Sequence, residues 1–334
     1  MADVNKYGDQ TPREAGFSYG QLLERAVPGV VTELGLATKP MPKKQTNTII
    51  FRRINSLSAA TVPLGEGVTP AGSKPTYTDV TMVMQQFGDF VAFTDQMEDF
   101  HPDNVISEFG DILAEQMRKT RELLNIAFMK AGTSVYYANG TGRTDVNTFT
   151  TVGQLKKVVR YLRKQNAKYI TKIIKATPMY ATGAVAPSYI AFGDTDLAAD
   201  LEALPGYRKV EDYADSSRAI SDYEHGTVAG IRFILTSEFT AWADAGGLEN
   251  SMITTTGANA DVYPIIIMGE NAACTVALRG EESGHTTFVS TKPAKGDDLG
   301  QRGSTGWKFY HTGGILNDSW MARVEVAATL NPVA

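Results

Sequence analysis

The stretch Pro63-Leu64-Gly65-Glu66-Gly67-Val68-Thr69-Pro70-Ala71-Gly72-Ser73-Lys74-Pro75 constrains this chain more than any other. Its three prolines and three glycines forbid regular structure over those thirteen residues. Proline lacks the amide donor, and glycine gives up the most backbone freedom on ordering. The segments on either side have a different character. Residues 47–54 alternate Ile49 and Phe51 against Ile50 and Arg52, and residues 77–86 form a second extended run. Two strands joined by an irregular connection make a long hairpin. A lone two-stranded hairpin is marginal in water, so this one must lean on something else.

Residues 103–131 carry the strongest helical pattern. Val105, Phe109, Ile112, Leu113, Leu123, Leu124, Ala127 and Phe128 recur at helical spacing, while Glu108, Asp111, Glu115, Arg118, Lys119 and Glu122 take the remaining surface. Pro102 and Asp103 mark its start and Gly132 its end. Such a helix is roughly 43 Å long at 1.5 Å per residue, more than one compact lobe needs.

Ahead of the hairpin, residues 1–45 lack strong periodicity and are broken by Pro28, Gly29, Gly35, Pro40 and Pro42. An arm of that composition cannot bury enough surface to fold alone, and a neighbouring subunit is its expected support. Beyond the long helix, residues 133–150 read as loop, and residues 152–164 as an amphipathic helix with Val152, Leu155, Val158, Val159 and Leu162 inward. Strands are expected at 170–176, 189–192 and 231–235, a helix at 194–204, and an exposed loop at 205–226. Residues 262–268 read as a fully buried strand followed by another at 272–278. Near the end, Trp320, Ala322, Val324 and Val326 alternate with Arg323 and Glu325. The fold class is α+β: a mixed body carrying an arm, a long hairpin and a long helix.

The bulk numbers exclude several classes. A formal net charge of −5 gives no basic field to hold nucleic acid without sequence preference. Cys274 is the only cysteine, which rules out an internal disulfide framework and a cysteine-rich zinc site and suits a reducing cytoplasm. The polar first twenty residues do not read as a signal peptide, and no apolar run approaches the roughly 20 residues that span a bilayer.

Three stretches carry a family likeness. The first is Tyr77-Thr78-Asp79-Val80-Thr81 with Gln86-Phe87-Gly88-Asp89-Phe90-Val91. The second is Asp99-Phe100-His101-Pro102-Asp103 leading to Arg121-Glu122-Leu123-Leu124, and the third Gly306-Trp307-Lys308 with Ile315-Leu316-Asn317-Asp318. In this order they resemble the N-four-like family of tailed-bacteriophage coat proteins, whose fold is the Hong Kong 97-type capsid fold. The resemblance implies an N-terminal arm (1–45), an extended loop (46–90, tip 63–75) and a peripheral domain (91–150) with a spine helix. An axial domain (151–280) and a C-terminal return to the peripheral domain (281–334) complete it. It implies a major capsid protein: a non-enzymatic subunit forming pentamers and hexamers of a shell around phage DNA, with Leu64, Glu66, Val68, Lys74, Phe17 and Tyr19 at contacts between subunits.

Implied partners are further copies of the chain, a portal protein at one vertex and packaged DNA held without specificity. The resemblance leaves room for a decoration protein, involves no membrane or cofactor, and places assembly in the host bacterial cytoplasm. Some relatives fuse a scaffolding segment before the arm; about 45 residues precede the first strand here, so a separate scaffolding protein is expected. Some also cross-link lysine to asparagine, but Lys74 has no identifiable partner asparagine or catalytic glutamate. An encapsulin-like compartment around a protein cargo is the alternative within the fold.

Other chemistry is poorly supported. Gly16-Phe17-Ser18-Tyr19-Gly20 matches a hydrolase nucleophile elbow, yet polar residues 10–15 cannot supply the buried strand that motif needs. His101, His225, His285 and His311 share no metal-ligand spacing. Asp194 and Asp196 fit a helix cap better than a calcium loop. Lys156, Lys157, Arg160, Arg163, Lys164, Lys168, Lys172 and Lys175 read as a solvated face or a charged subunit boundary, since only Tyr161 and Tyr169 accompany them.

Overall fold

A computed structural model describes residues 4–5, 30–67, 69, 72–100, 105–170, 187–210, 219–249, 251–279, 285–293 and 297–331. The chain begins with β1 (Val4–Asn5), β2 (Ala37–Met41), β3 (Thr48–Ile54), β4 (Tyr77–Val83) and β5 (Gln85–Thr94). Helices α1 (Asp95–Phe100) and α2 (Val105–Lys130) follow, then β6 (Val135–Tyr137), α3 (Val152–Lys164), β7 (Tyr189–Gly193) and α4 (Ala198–Glu202). The remainder is β8 (Arg208–Lys209), β9 (Glu224–Val228), β10 (Ile231–Leu235), β11 (Tyr263–Met268), β12 (Ala273–Leu278), β13 (His285–Val289), β14 (Arg302–Ile315) and β15 (Met321–Val326).

Among the described residues the strands make two sheets and a separate hairpin. One sheet has the order β6-β15-β11-β7-β10-β9-β8; the other runs β1-β5-β14-β12-β2 with β13 also on β14; β3 and β4 pair only with each other. The first sheet explains its own continuous apolar runs. Tyr263, Ile265 and Ile267 of β11 pack with Leu155, Val158 and Leu162 of α3. Ile266 and Met268 point the other way, onto Ile126 and Met129 of α2. Both faces are covered, so every residue of the strand is buried and none needs to be polar.

Helix α2 joins the two sheets. Its C-terminal half covers the first sheet, while Phe109 packs with Phe93 and Met97, and Leu113 packs with Trp307 and Phe309 of the second. The length expected of this helix is thus spent on bridging two layers. Helix α3 has the expected boundaries, set by a capping box in which Thr151 Oγ1 accepts from the Gln154 amide and Gln154 reaches back to Thr151.

Several expectations are corrected. The stretch 1–45 does contain strands, and part of it is supported by its own subunit: β1 pairs with β5, β2 pairs in parallel with β12, and Val31, Leu36 and Met41 are buried there. The run 77–86 is two strands, because Met84 is buried at the hairpin base and its amide donates to the Asn47 carbonyl at 2.8 Å. On α2, Glu122 is 1% exposed, whereas Ile112 and Leu123 are more than 40% exposed. The buried stripe of the last turns therefore runs through Glu122, Asn125, Ile126 and Met129, because the turn at residues 31–34 supplies polar partners there. Residues 133–150 are not all loop: β6 pairs in parallel with β15. The helix at 194–204 is a 3-10 turn, Thr195–Leu197, followed by short α4. Within 205–226, Arg208–Lys209 is a strand and Glu224 is buried. On β15 the face of Arg323 and Glu325 is not solvent: Glu325 is buried and accepts from Arg143 and Arg323. The strand at 170–176 falls almost wholly outside the described residues.

Candidate assembly surfaces

The hairpin is built from strict alternation. Across β3 and β4 the register runs from Thr48 opposite Val83 to Ile54 opposite Tyr77. The rows Ile49–Met82 and Phe51–Val80 face inward and pack with Met41, Met84, Cys274 and Val276, so the base is anchored on the second sheet. The alternate rows face out. There Ile50 is 57% exposed and Ile54 64%, beside Tyr77 and Val83, which are also exposed.

Among these apolar residues Arg52 donates to Asp79 through Nε and Nη2, both at 2.8 Å. The bond holds the Asp79 carboxyl below the usual carboxylate range, and the Arg52 guanidinium lies 5.5 Å from the Tyr77 ring centroid. At the far end the Asn55 amide donates to the Thr76 carbonyl at 2.9 Å. Beyond it, Val62 and Leu64 are at least 75% exposed and Leu57 is exposed too. An outward apolar face continuing into an apolar tip is what a surface built for contact looks like.

Of the residues expected at subunit contacts, Leu64, Glu66 and Lys74 are all exposed at this tip. Phe17, Tyr19 and Val68 lie outside the described residues, as does Ser18.

A second feature is a cleft of about 380 Å³ between α2, β12 and β14, lined by Glu33, Met117, Arg118, Arg121, Thr275, Val276, Ala277, Phe309, Tyr310 and His311, with Val30 at its edge. Arg121 pairs with Glu33 at 2.8 Å. His311 is buried, and burial with the nearby Arg121 charge depresses its pKa to about 4. Its Nε2 has no hydrogen-bond partner among the described residues.

The remaining candidates resolve into structural roles. Asp194 Oδ1 accepts from the Asp196 amide at 3.1 Å, the expected cap. Asp196 accepts from the Tyr263 hydroxyl, and Asp200 from Thr329, so each carboxylate has a separate partner. His225 lies 3.2 Å from Glu202, which also pairs with Lys209. His101 is outside the described residues, and among those described no three His, Cys, Asp or Glu side chains are grouped to hold a metal. Lys156, Lys157, Arg160, Arg163 and Lys164 form an exposed face of α3; Lys172 and Lys175 are not described. Arg163 donates to the Tyr169 hydroxyl at 2.6 Å.

Two polar constellations have no signature in the sequence. Arg143 grips buried Glu325 through two bonds of 2.8 Å and stacks 3.7 Å from the Trp242 ring centroid. Glu122 accepts from the turn at residues 31–32. Their partners are 182 and about 90 positions apart, so no local spacing could have announced them.

Comparison with known proteins places this geometry. A family profile described as phage capsid protein matches residues 77–326, well over half the chain. No curated protein sequence matches. Among solved structures, the capsid of Ralstonia phage GP4 is similar over 100% of both chains, with a TM-score of 0.70 at 10% identity. The Cyanophage Pam1 capsid matches 99% of this chain and 100% of its own, with a TM-score of 0.66 at 12% identity. The head of Helicobacter pylori bacteriophage KHP40 covers 98% of each, at 0.64 and 13%. At such identities these likenesses establish a shared fold, and the profile establishes descent: the chain belongs to the phage capsid protein family and is a major capsid subunit of the virion shell.

Proposed function

We propose that the subunit works by polymerisation alone, forming pentamers and hexamers that close into an icosahedral or prolate head around phage DNA. The single observation that carries this reading is the hairpin, whose outer apolar face and tip are left uncovered by the described residues of the subunit. Burying apolar surface there stabilises a contact by about 25 cal/mol per Å², and the gain repeats at every subunit of a closed shell. Residues 46–90 act as the extended loop over a neighbour, and the stretch 1–45 as an arm whose β2 is anchored on the subunit's own β12. Residues 91–150 and 281–334 serve as the peripheral domain, with α2 as its spine helix, and residues 151–280 as the axial domain. A separate scaffolding protein and a portal complete the assembly set in the host bacterial cytoplasm. DNA is held without specificity, consistent with the acidic balance of the chain.

Replacing residues 64–74 by Asn-Gly tests this. Those residues are exposed wherever they are described, so the subunit's core should lose little. Far-UV circular dichroism should stay near that of the parent while sedimentation shows no closed particles. Particles of normal yield and thermal stability would sink the idea that the loop reaches a neighbour, and an unfolded subunit would place the segment inside its own core.

A further inference from the structure

We propose that the cleft between α2, β12 and β14 receives the hairpin tip of a second copy of this chain, with Leu64 entering its apolar floor and the Glu66 carboxylate pairing with Arg118. The inference rests on the reading that the hairpin reaches a neighbour, and it names where the tip lands.

The tip has an apolar and an acidic part. Val62 and Leu64 are at least 75% exposed, and Glu66 stands in the turn that follows them. Glu66 is the only carboxylate between residues 56 and 76. It is exposed and makes no ion pair or hydrogen bond among the described residues. The tip therefore presents two large aliphatic groups followed by one anion.

The cleft offers the complement. Met117, Val276, Ala277 and Phe309 give it an apolar lining, and its volume of about 380 Å³ has room for an aliphatic side chain. Two cations stand at it, but Arg121 is already engaged by Glu33. Arg118 is exposed and makes no ion pair among the described residues, so it is the cation open to an incoming carboxylate. His311, only 6% exposed, adds a lining group whose Nε2 has no hydrogen-bond partner among the described residues.

The occupant must come from another copy. The hairpin base packs on Val276, which also lines the cleft, so base and cleft adjoin within one subunit. The seven-residue strands then carry the tip away by roughly 24 Å, at about 3.4 Å per residue. A tip held that far from its own cleft can fill only a neighbour's.

Charge reversal tests the pairing in subunits expressed with their assembly partners and scored as sedimenting particles. Glu66→Arg and Arg118→Glu should each lower particle yield at least tenfold, with circular dichroism of the subunit unchanged. The double variant should recover to within about threefold of the parent. Normal assembly of either single variant, or a double variant no better than the singles, overturns the pairing. As a second measurement, Arg118→Lys particles treated with carbodiimide should yield an inter-subunit peptide joining positions 66 and 118, and its absence counts against the contact. Replacement of residues 64–74 separates the two readings. If that loss stops assembly while Glu66→Arg does not, the tip binds a neighbour elsewhere. If it too assembles normally, the overlap itself is wrong.

Discussion

The Glu122 carboxylate, buried on α2, accepts the Thr32 hydroxyl at 2.6 Å and the Thr32 amide at 3.0 Å. It also accepts the Val31 amide at 3.1 Å, while Asn125 donates to the Thr32 hydroxyl at 3.0 Å. Burial raises the Glu122 pKa, opposed by these bonds. One carboxylate thus clasps the turn at residues 31–34 to the long helix. Glu122→Ala leaves buried amides unpaired and should cost about 2–4 kcal/mol, whereas Glu122→Gln, which retains an acceptor, should cost about 1 kcal/mol. Urea denaturation of the unassembled subunit measures both, and equal effects would show that the acceptor itself carries no weight.

Leu113 is 4% exposed between α2 and the Trp307 and Phe309 rings of β14. Leu113→Asp would place a charge among these apolar side chains, at a cost of several kcal/mol against a typical domain stability of about 5–15. The expected outcome is insoluble or degraded protein. Soluble subunit that assembles normally would show that this helix face does not carry the fold.

Asp194 makes the subunit's stability depend on pH. Burial raises its pKa from 3.8 to about 6, so the folded state holds the proton more tightly than the unfolded chain. The stabilisation is complete below about pH 4 and is lost as pH rises through about 6, by roughly 3 kcal/mol at most. Asn caps as well as Asp and does not titrate. Asp194→Asn should therefore gain stability relative to the parent as pH rises from 4 to 7, read as a widening difference in urea midpoints. A constant difference across that range would contradict the assignment.

Local pattern determined much of this protein. The breakers at 63–75 and the alternation on both sides specified the hairpin, because proline and glycine act on the backbone wherever they stand. The capping residues and apolar spacing of α3 specified its ends, since both operate within one or two helical turns. Even the fully buried β11 was legible, because a strand covered on both faces has no reason to alternate. Tertiary structure alone decided which polar residues go inside. Glu122 is a surface residue by periodicity and a core residue in fact, because Thr32, some 90 positions away, brings it donors. Glu325 alternates as a solvent residue, yet Arg143 covers it from a segment that reads as loop. A buried charge is tolerated only where partners converge, and convergence belongs to the fold rather than to any window of sequence. The cleft beside Arg118 has the same origin: α2, β12 and β14 meet there from three distant parts of the chain.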